Sequence, residues 1–115
     1  MYFAEWQFDA DIRSAFPVID QIARKSGIHE IAPEWVYGAP LNFYRLYYHD
    51  DFFAPFTFGD PLVAGKPIYV MGDARYAGFI KKNNLKVVFR GSFSDLEIAV
   101  QPAVADAIGF KPEPR

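Results

Sequence analysis

Residues 85–101 read LKVVFRGSFSDLEIAVQ. Leu85, Val87 and Phe89 alternate with the basic residues Lys86 and Arg90. After a Gly/Ser-rich break, Leu96, Ile98 and Val100 alternate with the polar residues Asp95, Glu97 and Gln101, and only Val88 and Ala99 interrupt the polar positions. A period of two on both sides of a short connection predicts an antiparallel hairpin with one buried and one solvent-facing side. The solvent-facing side would bring opposite charges together, which favours this pairing: Lys86 and Arg90 near Asp95 and Glu97.

The bulk composition is that of a small globular protein. The chain has 115 residues, of which 51% are hydrophobic and 23% are charged. We expect one compact domain over residues 1–110 and a flexible tail over residues 111–115. The absence of cysteine excludes a disulfide, a thiol nucleophile and a cysteine zinc site. No signal-peptide pattern and no membrane-spanning apolar run is visible, so we expect a soluble, cytoplasmic protein with no membrane partner and no cofactor.

A helix is predicted over Asp11–Ser26, where apolar residues recur at spacings of three and four. Asp9 or Asp11 would cap its start, and Gly27 stands where a helix commonly ends. Pro17 leaves two alternatives: a kink in this helix, or the first turn of a shorter one.

Four segments are predicted as strands. Tyr2–Phe8 alternates, and Asn42–His49 is rich in aromatic residues. Glu34–Tyr37 would be a short strand after Pro33, and Ile68–Met71 would lie at a sheet edge because Pro67 precedes it.

Residues 73–84 fit a helix better than the alternative, a strand that turns back at Asn83 into the hairpin. A last helix is predicted to start with Pro102 and stop at Gly109, and residues 50–65 are expected to form a long surface excursion. The predicted fold is α+β: an antiparallel or mixed sheet of four to five strands with two or three helices packed mainly on one face, among them the helices near residues 11–26 and 102–109.

The block from Asn42 to Phe58 is the main candidate for a binding site. Eight of its seventeen residues are aromatic. If the sheet is covered on one face, some of these rings should reach the surface, where rings are effective interface anchors. The alternative is that they form the core. The predicted binding residues are five rings and three acids that would form a rim: Tyr44, Tyr48, Phe52, Phe53 and Phe56, with Asp50, Asp51 and Asp60.

The leading functional prediction is a non-enzymatic protein-interaction module, such as an inhibitor, an immunity-type protein or an assembly factor. Its partner would be an unidentified protein or a second copy in a homodimer. The prediction depends on the aromatic block and on the lack of a catalytic motif in the sequence.

An alternative is a small metal-dependent hydrolase. It would use His49 with Asp50 or Asp51, together with Asp73 and Arg75, because oxygen-rich sites suit Mg²⁺ or Ca²⁺ and a histidine beside carboxylates can act as a general base. A solvated turn is the favoured explanation of His49 and its neighbours, because adjacent residues of a strand point to opposite faces and histidine and aspartate are common in turns.

A weaker alternative is nucleic-acid binding through basic residues near the hairpin. The candidates are Lys81, Lys82, Lys86 and Arg90. The sequence pI near 5.6 argues against this function, since nucleic-acid-binding domains are usually basic.

Overall fold

The structure, a computed structural model, describes residues 3–48, 52–53, 64–92 and 94–109. Within these residues the fold is α+β, as predicted, with four helices and one mixed sheet of four strands. The elements in chain order are α1 (Phe3–Ser26), β1 (Ala32–Pro33), α2 (Trp35–Tyr47), β2 (Ile68–Gly72), α3 (Asp73–Lys82), β3 (Lys86–Arg90), β4 (Leu96–Val100) and α4 (Pro102–Ala107).

The sheet order is β1-β2-β4-β3. β1 is parallel to β2, whereas β2 and β3 both pair antiparallel with β4. The prediction of a strand at Ile68–Met71 is confirmed, but its edge position is wrong because β2 has a partner on each side. Pro67 precedes the ladder and contributes its carbonyl, which accepts the backbone N–H of Gln101 at 3.0 Å.

The predicted hairpin is formed by β3 and β4. Arg90 stands opposite Glu97, and their side chains form an ion pair at 3.5 Å. The register shifts between Val87 and Phe89, which marks a bulge at Val88. As a result Val87 and Phe89 pack into different clusters, although strict alternation would place them on the same side.

The prediction of one solvent-facing side is wrong for β4, in which all five residues are buried. The reason is that helices cover both faces of the sheet. On one face the inward residues of β2 and β4 pack with apolar residues of α1, α2 and α4, so the predicted packing of the first and last helices on one face is confirmed. On the other face Tyr69, Met71 and Ala99 pack against Tyr76 and Phe79 of α3.

The predicted strand at Tyr2–Phe8 is wrong, because α1 already begins at Phe3. Alternating residues that lie four apart also share one side of a helix, so a short alternating run joins a helix without conflict. Pro17 lies inside α1 rather than at its start. Gly27 follows the helix with a φ of +73°, the left-handed conformation that ends a helix.

Asp9 and Asp11 do not cap α1, because both lie inside it. Asp11 is only 2% exposed and contacts the connection between β3 and β4. Its carboxylate accepts hydrogen bonds from the backbone N–H of Ser92 at 2.9 Å and from the backbone N–H and hydroxyl of Ser94. A Cβ at Gly91 would collide with this carboxylate. We call this arrangement the Asp11 latch.

The predicted strands at Glu34–Tyr37 and Asn42–His49 are also wrong. Glu34 is the N-cap residue of α2, and the aromatic residues that follow belong to that helix. His49 lies outside the described residues.

The later helices agree with the sequence. α3 confirms the preferred helix over residues 73–84, and the chain reverses after it at Asn84, whose φ is +54°. α4 has Pro102 in its first turn, and Gly109 follows with a φ of +73°. Most of the predicted excursion at residues 50–65 and the predicted tail at 111–115 lie outside the described residues.

None of the helices in the described part of the chain is long and apolar enough to cross a membrane.

Candidate protein-interaction surface

Helix α2 is apolar on almost its whole circumference. Its sequence, WVYGAPLNFYRLY, contains only two side chains more polar than tyrosine, Asn42 and Arg45, and both are half-buried. One side of α2 enters the core through residues spaced three and four apart: Tyr37, Leu41 and Tyr44, which are 3%, 0% and 6% exposed.

The side of α2 that faces solvent is apolar as well. Phe43, Leu46 and Tyr47 follow the same helical spacing and are 59%, 63% and 64% exposed. Tyr48, the C-cap residue, is 46% exposed beside them. We call these four residues the outer α2 face. A contiguous exposed patch of this kind is typical of an interaction site.

Ring contacts fix the outer α2 face to the core. Phe43 stacks on Tyr47 with 6.1 Å between ring centroids, and Tyr47 meets Tyr48 edge to face at 5.1 Å. Tyr48 in turn stacks on the buried rings of Tyr44, at 6.2 Å, and Phe16, at 5.7 Å. Each exposed ring of this face is therefore held in place by a contact with another ring.

The structure divides the predicted binding residues into three groups. Tyr48 is exposed and Phe52 is half-buried, so both rings reach solvent. Tyr44 and Phe53 are 6% and 2% exposed and belong to the core, so their rings are not available to a partner. The remaining four lie outside the described residues: Phe56, Asp50, Asp51 and Asp60.

Sequence reasoning did not identify Phe43, Leu46 and Tyr47 as the exposed apolar residues of this segment. It treated residues 42–49 as a strand, in which Tyr44 and Tyr48 would share one side with Leu46. The signal that identifies the exposed side is helical spacing, because Phe43, Leu46 and Tyr47 stand at positions i, i+3 and i+4.

Phe52 is held against the end of α1. The ring of His29 stacks on the Phe52 ring at 4.0 Å, and the Nδ1–H of His29 donates to the Phe52 carbonyl at 2.8 Å. The guanidinium of Arg24 lies 4.9 Å from the centre of the same ring. These contacts place residues 52 and 53 next to the core, where Phe53 meets Phe16.

The outer α2 face carries no charge. α2 contains no lysine or acidic residue, and its single arginine, Arg45, is half-buried. The Nε of Arg45 has no hydrogen-bond partner among the described residues. The four residues of the outer α2 face therefore present carbon and tyrosine hydroxyls rather than ions.

A second cluster, at one end of the sheet, is acidic. Glu34 is buried and accepts the backbone N–H of Gly72 at 2.9 Å and an N–H of Arg75 at 3.1 Å. Asp95 accepts the backbone N–H of Ala74, in the first turn of α3, at 2.8 Å. These carboxylates are used to satisfy backbone amides, which is a structural task.

The acidic cluster changes the chemistry of Tyr37. Burial, followed by the negative charges of Asp95, Glu34 and Asp11, raises the pKa of the Tyr37 hydroxyl, and Arg75 opposes this effect. The ring is 3% exposed, so Tyr37 is kept neutral and away from solvent.

Most of the residues predicted for a hydrolase lie outside the described structure, so that alternative stays a prediction. His49, Asp50 and Asp51 lie outside it, and Arg75 pairs with Glu34. Across residues 3–48, 52–53, 64–92 and 94–109, no group of three or more histidine, cysteine or acidic side chains could hold a metal ion.

The predicted basic candidates lie away from α2. Lys81 and Lys82 are exposed in the last turn of α3, on the opposite side of the sheet. Lys86 and Arg90 stand at the two ends of the edge strand β3, where Arg90 is engaged by Glu97.

Comparison of the chain with protein-family models, with curated proteins and with solved structures found no match.

Proposed function

We propose that this protein is a non-enzymatic interaction module that binds another protein through the outer α2 face. An inhibitor, an immunity-type protein or an assembly factor would act in this way. The partner is a different protein or a second copy of the chain. A cytoplasmic location fits this proposal, since a chain without cysteine needs no oxidising compartment.

The single observation that carries the proposal is that α2 is apolar on two sides, of which only one is covered by the residues that the structure describes. A helix of a soluble protein usually presents polar residues to water, and a helix that is apolar all round is normally buried. In α2 the solvent-facing positions hold Phe43, Leu46 and Tyr47. Covering them with a partner removes this exposed apolar area from water.

The residue types on this face support a binding role rather than chance exposure of apolar residues. Tyrosine and phenylalanine present large areas while ordering few torsions, which makes them frequent interface anchors. Because Phe43, Tyr47 and Tyr48 already contact one another, their side chains lose less conformational entropy when a partner binds. Asp50, Asp51 and Asp60 remain the predicted acidic rim, which would orient the partner and raise the association rate.

The test is a pull-down with the tagged full chain, comparing the wild type with the double variant Phe43→Ser/Tyr47→Ser. Partners captured by the wild type, including untagged copies of the chain, should be lost from the double variant. The matched control is Lys81→Ser/Lys82→Ser on the opposite side of the sheet, which should capture them normally.

Circular dichroism and thermal unfolding would establish that both variants fold, as expected for exposed positions. Phe43→Tyr, which keeps an aromatic ring, should retain capture. If the folded Phe43→Ser/Tyr47→Ser variant captures every wild-type partner with undiminished yield, the outer α2 face is not the binding surface.

A further inference from the structure

Strand β3 lies at one edge of the sheet that the described residues form. Within that part of the chain, residues 86–90 make no backbone hydrogen bond beyond their ladder with β4. The opposite edge, β1, has only two residues, and one of them is Pro33, which has no N–H. β3 is therefore the edge of this sheet at which a further strand can pair. We call its outer side the β3 edge.

The start of the β3 edge is positively charged. Lys86 is the first residue of β3, and Lys81 and Lys82 stand in the last turn of α3. The backbone N–H of Leu85 donates to the carbonyl of Ile80 at 3.0 Å, so the end of α3 adjoins the start of β3. None of the three lysines forms an ion pair with another described residue. This end of the strand therefore attracts negative charge.

The rest of the β3 edge is apolar or already neutralised. Val87, Val88 and Phe89 are half-buried, so part of each side chain reaches solvent. At the far end the charge of Arg90 is paired with Glu97 at 3.5 Å. Because side chains of neighbouring strands stabilise each other when they match, an added strand gains most from apolar residues at its centre and acidic residues near Lys86.

A second copy of β3 fits this edge poorly. An antiparallel pairing of two copies centred on Val88 would place Lys86 of each near Arg90 of the other, and like charges opposite each other are destabilising. Basic residues and a bulge, such as the one at Val88, commonly guard an edge strand against pairing with its own kind. The same basic residues attract an acidic strand.

We propose that the β3 edge binds an extended segment of a partner protein as a fifth strand of the sheet, and that this segment has an apolar centre and acidic residues at the end that meets Lys86. Main-chain hydrogen bonds supply the attachment, and the lysines select the acidic sequence. This surface is separate from the outer α2 face, because α2 packs beside β1, at the opposite edge of the sheet.

The strand is short and its bulge interrupts the regular spacing of main-chain groups, so the binding is weak. We expect a dissociation constant of about 10–100 µM. Complexes of this strength dissociate during the washes of a pull-down. Capture through the outer α2 face is therefore measured separately from binding at the β3 edge.

Single-stranded nucleic acid fits the β3 edge less well than an acidic segment does. Grooves for single strands combine basic residues with rings on which bases stack. The ring of β3, Phe89, is half-buried and packs against the core, and the sequence pI is near 5.6.

The first test is calorimetric titration of the full chain with a blocked synthetic peptide, Glu-Glu-Val-Thr-Val-Thr-Gly. It should bind in the expected range and more weakly as the salt concentration rises from about 0.05 M to about 0.5 M. The same peptide with lysine in place of glutamate should not bind. A fully N-methylated form keeps the charges but has no main-chain donor, and it should bind at least about tenfold more weakly. No binding of the glutamate peptide up to about 1 mM, or equal binding of its N-methylated form, would overturn the inference.

The second test locates the peptide on the protein. Lys86→Glu should weaken binding at least about fivefold, whereas Lys86→Arg should preserve it. Lys25→Glu is the matched control, because Lys25 is exposed at the end of α1 that leads into β1. Circular dichroism would establish that the variants fold, and amide hydrogen exchange of residues 86–90 in the wild type should slow when the peptide binds. Undiminished binding to folded Lys86→Glu, or unchanged exchange in β3, would refute strand addition.

Two further outcomes distinguish this inference from its competitors. A single-stranded oligo-dT that binds more tightly than the glutamate peptide and displaces it would assign the β3 edge to nucleic acid and overturn the proposal. The Phe43→Ser/Tyr47→Ser variant should bind the glutamate peptide like the wild type. Loss of peptide binding in that folded variant would place the peptide on the outer α2 face and refute the β3 edge, while leaving the proposed function standing.

Discussion

The half-exposed ring of Tyr48 stacks on the buried ring of Phe16, with 5.7 Å between the centroids and 20° between the planes. One residue belongs to the core helix α1 and the other caps α2, so this contact joins the interior to the outer α2 face. The two rings should therefore differ in what they contribute to stability.

Phe16→Ala should lower the free energy of unfolding by about 3–5 kcal/mol, because it leaves a cavity in the core. Tyr48→Ala should lower it by only about 1 kcal/mol, because almost half of that ring already contacts water. Equilibrium urea unfolding measures both values. Equal losses for the two variants would contradict the proposed division between core and surface.

The Asp11 latch should be important for stability. Asp11→Ala removes a buried acceptor of the N–H groups of Ser92 and Ser94, and should lower the free energy of unfolding by about 3 kcal/mol. Gly91→Ala should also destabilise, because its Cβ would collide with the Asp11 carboxylate. In the Asp11→Ala background that collision is absent, so the same substitution should cost less.

A double-mutant cycle on Asp11 and Gly91, followed by urea unfolding, should therefore give a coupling of about 1–3 kcal/mol. Gly78→Ala is a useful control, since a Cβ at Gly78 would meet no neighbouring atom. Strict additivity of Asp11→Ala and Gly91→Ala would show that the two residues do not meet.

Glu34 and Arg75 form an ion pair, and we expect the two residues to contribute unequally to the free energy of unfolding. Glu34 is 2% exposed and accepts the N–H of Gly72, so Glu34→Ala leaves a buried amide without its acceptor and should cost about 2–3 kcal/mol. The Arg75 side chain is 63% exposed, so Arg75→Ala should cost about 1 kcal/mol or less. Thermal and urea unfolding would measure the asymmetry, and a larger loss at Arg75 would refute it.

Tyr37 should make the fold sensitive to alkali. Burial and then the charges of Asp95, Glu34 and Asp11 raise its pKa above that of an unfolded tyrosine, which is about 10. The stabilisation from neutral Tyr37 is therefore fully present below about pH 10 and is lost as the pH rises further, by up to about 1.4 kcal/mol per pH unit.

Tyr37→Phe should flatten this loss, which unfolding experiments between about pH 8 and pH 11 would detect. The pKa of Lys66 is also raised, by its hydrogen bond to Glu30 and by the charge of that residue, so the stabilisation from charged Lys66 is likewise lost as the pH rises. This contribution is present in both the wild type and Tyr37→Phe, and it therefore cancels when their alkaline slopes are compared. Identical alkaline slopes for wild type and Tyr37→Phe would refute the role of Tyr37.

Short sequence patterns predicted the elements whose formation depends on neighbouring residues, such as the hairpin and the last helix. The hairpin has a period of two on both sides of a short break, and α4 lies between Pro102 and Gly109. The burial of Glu97 was not predictable in this way, because it depends on α3 covering the second face of the sheet and on the ion pair with Arg90. Such placement is a property of the tertiary structure.

The candidate site was predictable as a region but not residue by residue. The density of rings near α2 correctly predicted that some of them reach solvent, as Tyr48 does. The predicted strand had aromatic residues on both faces and did not separate exposed rings from buried ones. Because Tyr44 turns inward while Phe43 and Tyr47 turn outward, the helical period is what separates the exposed rings from the buried one.

The hydrogen bonds of the Asp11 latch join residues that are up to 83 positions apart in the chain. A ribosome makes α1 long before it makes β3 and β4, the strands on either side of the turn that meets Asp11. During synthesis, the carboxylate that ends up among the most buried groups must therefore remain hydrated until that turn has left the exit tunnel. Asp11 can therefore take up its final hydrogen bonds only after the hairpin of β3 and β4 has been synthesised.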